Sequence, residues 1–125
     1  MELEGAAPLW GVHEYFVKCA QQKPAALAVV DNKRAWTYRQ LHSFSTNLAH
    51  DLRKQKAGPH ATCVAVVGVL LDRDVSLPGA LLAVLMSGGC FVPLDPVYGQ
   101  RRLQLMISKG INLLLTCKQH EQLAK

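Results

Sequence analysis

Between Val75 and Leu94 the chain runs for twenty residues without a charge, yet Pro78, Gly79, Gly88, Gly89 and Pro93 punctuate the run. A stretch this apolar has to be buried. A membrane-spanning helix accommodates one or two such breakers, but Gly88-Gly89 followed by Cys90-Phe91-Val92-Pro93 reads as a helix ending and a strand beginning. The run therefore predicts a buried helix and a short strand, and no membrane span. The helix starts near Asp74 or Ser76, with Pro78 in its first turn, where the missing N–H costs nothing. Leu77, Ala80, Leu81, Leu82, Val84 and Leu85 make it apolar almost all round, as in a helix held between layers. Gly88-Gly89 stops it, and Cys90 to Val92 form the strand.

The flanking sequence repeats this alternation. Thr62 to Gly68 (TCVAVVG) and Asn112 to Thr116 (NLLLT) are short, continuous apolar runs, the pattern of parallel strands buried on both faces. Between the second and third strands, Pro93-Leu94-Asp95-Pro96 is extended. A helix then runs from about Gln100 to Lys109, with Leu103, Met106 and Ile107 inward and Gly110 as its stop. Upstream, Val12, Tyr15, Phe16 and Cys19 share one face of a first helix that ends at Gln21-Gln22-Lys23-Pro24. Ala26–Val30 and Ala35–Thr37 form a hairpin around Asp31-Asn32-Lys33. Thr37 and Gln40 make a capping box for a surface helix lined by Tyr38, Leu41, Phe44, Leu48 and Leu52, which closes at Ala57-Gly58-Pro59. Residues 1–9 read as a tail, and Lys118–Lys125 as the start of another helix. Strand and helix alternation implies an α/β fold: a partial, mostly parallel sheet with flanking helices.

Composition narrows the function classes. The chain has 125 residues, 50% of them hydrophobic and 18% charged, enough apolar side chain for a core. The net charge of +5 is scattered, and no aromatic residues interleave the basic ones, so no nucleic-acid groove is indicated. The N-terminus lacks the basic and apolar regions of a secretory signal. Cys19, Cys63, Cys90 and Cys117 are far apart and sit among apolar neighbours, which suggests reduced, buried thiols in a cytoplasmic protein rather than a zinc site.

Candidate chemistry is sparse. The strand ending at Gly68 is followed by Val-Leu-Leu-Asp-Arg, without the second glycine of a dinucleotide fingerprint, and no P-loop is present. No nucleophile elbow occurs, and Ser87 reads as a packing residue near a helix end. His42 and His50 stand about 12 Å apart along one helix, too far to share a metal. Together with His13, His60 and His120 they read as solvated surface histidines. Asp72 and Asp74, flanking Arg73, suit a helix cap better than an acid–base couple, and Arg101-Arg102 suit a solvated face. No catalytic, cofactor-binding or metal-binding residue is assigned.

Four blocks in order carry a resemblance. Trp36-Thr37-Tyr38-Arg39-Gln40-Leu41 resembles the LTYxEL motif of adenylate-forming enzymes. Leu85 to Pro96 resembles their LKAGGAYVPLDP, Tyr98 to Met106 is similar to the YPxxRLxxML that follows, and Ser108 to Thr116 to a later DSGAxxLLT. Val12 to Pro24 resembles their opening helix, so the likeness covers roughly residues 10–117. Gln40, Met86 and Gly99 replace the usual Glu, Lys and Pro. The chain thus resembles the AMP-dependent synthetase/ligase family, in the manner of nonribosomal peptide synthetase adenylation domains.

That resemblance implies that residues 10–125 are the N-terminal portion of an adenylation domain, incomplete at the C-terminus. It implies for the whole family domain an ATP- and Mg2+-dependent activation of a carboxylic or amino acid as acyl adenylate. Transfer to phosphopantetheine on a carrier protein or to coenzyme A follows. The family's ATP-gripping and catalytic motifs lie beyond the matched blocks, so this chain alone is expected to be inactive and to hold no cofactor. The competing expectation is an inert binding or regulatory module derived from such a domain. Two strands buried on both faces with few elements to cover them also predict aggregation or loose packing of the isolated chain.

Overall fold

The computed structural model describes residues 11–56, 66–117 and 120. The tail at 1–9, the helix closure at Ala57-Gly58-Pro59, Cys63, His60, the strand residues before Val66 and most of the expected helix at Lys118–Lys125 lie outside the described residues. The elements are α1 (Val12–Gln22), β1 (Leu27–Val30), β2 (Ala35–Thr37), α2 (Tyr38–Lys56), β3 (Val66–Leu70), α3 (Ser76–Met86), β4 (Cys90–Leu94), α4 (Gln100–Ile107) and β5 (Leu113–Thr116).

β1 and β2 form the expected antiparallel hairpin, Val30 opposite Ala35. Asp31 holds its turn: Oδ1 accepts from the N–H groups of Lys33 at 2.7 Å and Arg34 at 2.6 Å. The capping box at the start of α2 is formed in both directions. Thr37 N–H donates to Gln40 Oε1 at 2.9 Å, and Gln40 N–H to Thr37 Oγ1 at 3.3 Å. Gln40 thus does the work of the usual Glu, since the box needs an acceptor and not a charge.

The main sheet has the order β4-β3-β5, all parallel. β3 is central, and its Val67, Val69 and Leu70 are fully buried. One face carries Val67 and Val69 against Ala49 and Leu52 of α2 and Ala80, Ala83 and Val84 of α3. The other carries Leu70 and Leu94 against Leu103 of α4. α3 and α4 therefore lie on opposite faces. Right-handed crossovers require this, because β3 to β4 and β4 to β5 step across the sheet in opposite directions.

α2 and α3 approach closely at Gly79, where an added Cβ would lie 2.5 Å from Phe44 Cδ1. Ser45, fully buried, donates from Oγ to the Gly79 carbonyl at 3.0 Å. At the other end of α3, Gly88 takes φ +83. Gly89 N–H bonds Val84 C=O at 2.9 Å and Gly88 N–H bonds Leu85 C=O at 3.0 Å, the paired bonds of a Schellman cap.

Several expectations are corrected. β4 continues through Pro93 and Leu94 instead of stopping at Val92. The parallel register pairs Val67 with Phe91 and Val69 with Pro93, so Cys90, Val92 and Leu94 turn their backbone groups to β3 while Phe91 and Pro93 turn theirs outward. Pro93 consequently costs no ladder bond. β5 is half-buried at all four residues rather than buried on both faces, because it is an edge among the described strands. α4 ends at Ile107, two residues early, and Gly110, at φ +113, falls in the turn beyond. On α1 the buried residues are Phe16 and Ala20, while Val12 and Tyr15 face outward. Phe16 sets this rotation by packing between Tyr38, with ring centroids 6.2 Å apart, and His42, at 6.0 Å. The described cysteines are not buried: Cys90 is exposed, and Cys19 and Cys117 are half-buried.

Candidate functional site

In an open α/β sheet, ligands sit outside the carboxyl ends of the strands where successive connections leave toward opposite faces. Here that point lies between β3 and β4, and an open cleft of about 660 Å3 occupies it. Val69, Leu77 and Leu94 form its apolar floor. Leu71, Asp72 and Arg73 after β3 make one wall, and Asp95 to Tyr98 after β4 the other.

The second wall is shaped by the Val92-Pro93-Leu94-Asp95-Pro96 block. Asp95 Oδ1 accepts from Val97 N–H at 3.0 Å and its carbonyl from Tyr98 N–H at 3.0 Å, which turns the chain from β4 toward α4. Arg102, in the first turn of α4, stacks its guanidinium 4.3 Å from the Tyr98 ring centroid and steadies the rim. Gly99 caps α4 without a side-chain bond.

The first wall is tied to the hairpin and to the exit of β5. Asp31 Oδ2 accepts from Val75 N–H at 3.0 Å, so one carboxylate holds both the hairpin turn and the start of α3. Arg34 bridges to Asp74 at 3.3 Å. Asp74 Oδ1 in turn accepts from Ser76 N–H at 2.9 Å and from the Ser76 hydroxyl. Asp74 is a helix cap, as its spacing suggested, and Asp72 is not its acid–base partner. Asp72 Oδ1 instead meets His120 Nε2 at 2.9 Å. His120 is 15% exposed at its side chain, so it is not a solvated histidine. Ser87 donates to Val84 C=O at 2.7 Å at the opposite, N-terminal end of β4, away from the cleft. Arg101 is exposed on α4. Sequence reasoning missed the roles of Asp31 and His120, because their partners lie 44 and 48 residues away.

Hydrogen bonds from Lys33 N–H, then Val75 N–H, hold the Asp31 carboxyl below the ordinary carboxylate range, burial opposing them. A carboxyl with a depressed folded-state pKa contributes stability above its unfolded value, lost as pH falls through the folded value. Asp31→Asn is therefore expected to destabilise the chain at pH 7. The gap to the unmodified chain should narrow below about pH 4. Urea midpoints at pH 7 and pH 3 check this: a gap that does not shrink at pH 3 contradicts it.

A family model described as AMP-binding enzyme matches residues 16–125. The chain belongs to the AMP-binding enzyme family.

Chondramide synthase cmdD of Chondromyces crocatus is 40% identical over 110 residues, covering 85% of this chain and 3% of that protein. Tyrocidine synthase 3 of Brevibacillus parabrevis is 33% identical over 111 residues, covering 89% of this chain and 2% of that protein. The chain thus spans only 2–3% of the length of these curated relatives.

Among solved structures, the nonribosomal peptide synthetase FmoA3 with alpha-methyl-L-serine-AMP bound matches with a TM-score of 0.80 at 24% identity, covering 94% of this chain and 13% of that chain. The Klebsiella oxytoca NpsA N-terminal subdomain matches with a TM-score of 0.76 at 23% identity, covering 88% and 28%. The fold of this chain is that of part of the N-terminal subdomain of an adenylation domain.

The cleft in this member of the family does not by itself fit ATP and magnesium. Its rim carries two carboxylates, Asp72 and Asp95, beside the single cation Arg73 of its lining, and Asp95 is engaged in its own turn. No run of small residues brings backbone N–H groups around a phosphate there. Among the described residues no three His, Cys, Asp or Glu side chains cluster as metal ligands. No described helix is long and apolar enough to cross a membrane.

Proposed function

We propose that this chain is the opening part of an adenylation domain of the nonribosomal peptide synthetase kind. In the complete domain, ATP with Mg2+ activates a carboxylic or amino acid as its adenylate, and the acyl group passes to phosphopantetheine on a carrier protein or to coenzyme A. The role of these residues is to build the first βα units of the subdomain and the wall around Asp95. The isolated chain does not form adenylates, since the donors that stabilise a transferring adenylyl group are not among its cleft residues. The observation that carries the reading is the family match across residues 16–125.

The test replaces the corresponding opening segment of a chondramide or tyrocidine synthase adenylation domain with this chain and measures amino-acid-dependent pyrophosphate exchange into ATP. The folded chimera is expected to exchange, and the 125-residue chain alone to stay at background. A soluble, cooperatively folding chimera without exchange overturns the assignment as an opening segment. Exchange by the isolated chain overturns its inactivity.

A further inference from the structure

The loop from Leu71 to Val75 is held at its first end by β3, whose Leu70 pairs with Leu94 and Thr116. Its second end is the start of α3, where the first N–H groups need acceptors from outside the helix. Val75, at the cap position, makes no side-chain cap bond. Ser76 N–H donates to Asp74 Oδ1 at 2.9 Å, and Leu77 N–H to Asp74 C=O at 3.2 Å. Pro78 has no N–H to satisfy. Asp74 N–H donates to Asp72 C=O at 2.9 Å. All these bonds lie within residues 72–77, so they fix the shape of the corner and not its place in the molecule.

Two polar links tie the corner to the β1–β2 turn. Val75 N–H donates to Asp31 Oδ2 at 3.0 Å, and Arg34 bridges to Asp74 at 3.3 Å. The bridge joins side chains 48% and 32% exposed, so water and salt screen it. The Asp31 bond is the firmer link, because its acceptor carries charge and Val75 is buried. The other oxygen of that carboxylate is already fixed by the N–H groups of Lys33 and Arg34. Between the two ends of the loop stand Asp72 and Arg73. They line both the cleft and a hollow of about 550 Å3 that lies between the wall and the hairpin turn. Asp31 lines the hollow and not the cleft.

We propose that Asp31 is a positioning residue for the cleft: its carboxylate latches the β3–α3 corner to the hairpin turn and so sets where Asp72 and Arg73 stand on the rim. One oxygen serves the turn and the other serves the corner. Loss of the Val75 bond therefore frees the wall while the turn stays formed. A ligand pressing on Asp72 or Arg73 is resisted by the hairpin through this one side chain. Nothing in this depends on the proposed adenylation role. The charged groups facing Asp31 among the described residues are Lys33 and Arg34 of its own turn and Asp72, Arg73 and Asp74 across the hollow.

Asp31→Asn separates the two oxygens. It keeps an acceptor for Lys33 and Arg34 but can set an NH2 group before the Val75 N–H. Residue-resolved amide exchange and limited tryptic digestion of the 125-residue chain compare it with the unmodified protein. Exchange at Val75 is expected to quicken at least about tenfold, with Lys33 and Arg34 within about twofold, and cleavage after Arg73 should quicken with Val75. General destabilisation would quicken Val75 no more than Val69 in the sheet, and that result overturns the proposal. So does equal quickening at Lys33, Arg34 and Val75, or unchanged cleavage after Arg73. If Asp31→Asn does not fold, acid titration of the unmodified chain followed by amide proton shifts decides. One midpoint shared by Lys33 and Val75 supports the latch, and separate midpoints overturn it.

Discussion

Replacing Leu70 by Ala is expected to remove about 2–5 kcal/mol of folding stability. Leu70 is the last residue of the central strand, fully buried, packed with Leu94 of β4 and Leu103 of α4. Three elements meet on this one side chain, so truncation leaves a cavity that none of them can close without breaking its register. The Leu70 backbone is also paired on both sides, with Leu94 and Thr116, so the strand cannot shift to fill the space. A thermal midpoint lowered by more than about 10 °C is expected by calorimetry or circular dichroism. A change under about 1 kcal/mol would mean that the second apolar layer is not packed as described.

The second large effect is at Gly79, and here two local rules oppose each other. In an exposed helix interior, Gly→Ala gains up to about 1 kcal/mol. At Gly79 a Cβ meets Phe44 Cδ1 at 2.5 Å and Cε1 at 2.7 Å. The Phe44 ring has little freedom to withdraw, because Trp36 packs against it at a tilt of 46° with centroids 5.0 Å apart. Overpacking of this kind costs about 1–3 kcal/mol and rises with side-chain size. Separating the helices would in addition strain the buried bond from Ser45 Oγ to the Gly79 carbonyl. Gly79→Ala should therefore lose about 1 kcal/mol net, and Gly79→Val about 3 kcal/mol or more. Urea unfolding of both variants gives the sign; a stabilised Gly79→Ala would show that α2 and α3 are not in close contact there.

These two sites have different legibility. Leu70 lies two residues beyond the strand expected from Thr62 to Gly68, since the apolar run continues through Val69-Leu70-Leu71 without a breaker to mark its end. Gly79 is visible only as one more breaker in an apolar segment; that it is the contact point of two helices follows from Phe44 and Ser45, 35 and 34 residues away in sequence.

The Thr37–Gln40 box, the Asp31 turn, the glycine stop at Gly88 and the α/β alternation were all readable from the sequence, because each is decided by groups a few residues apart. The Leu85–Pro96 block was enough to suggest the family. What only the tertiary structure decided is how distant segments meet. It rotated α1 so that Phe16 rather than Val12 and Tyr15 is buried, carried β4 through Pro93, and left β5 half-exposed. It also placed Asp72 on His120 and Asp31 on Val75 around the cleft. The physical reason is common to all of these. Periodicity states that a segment has an apolar face, but the neighbour that covers it, and the strand edge left uncovered, depend on sheet order and crossover direction, which no short window of sequence encodes.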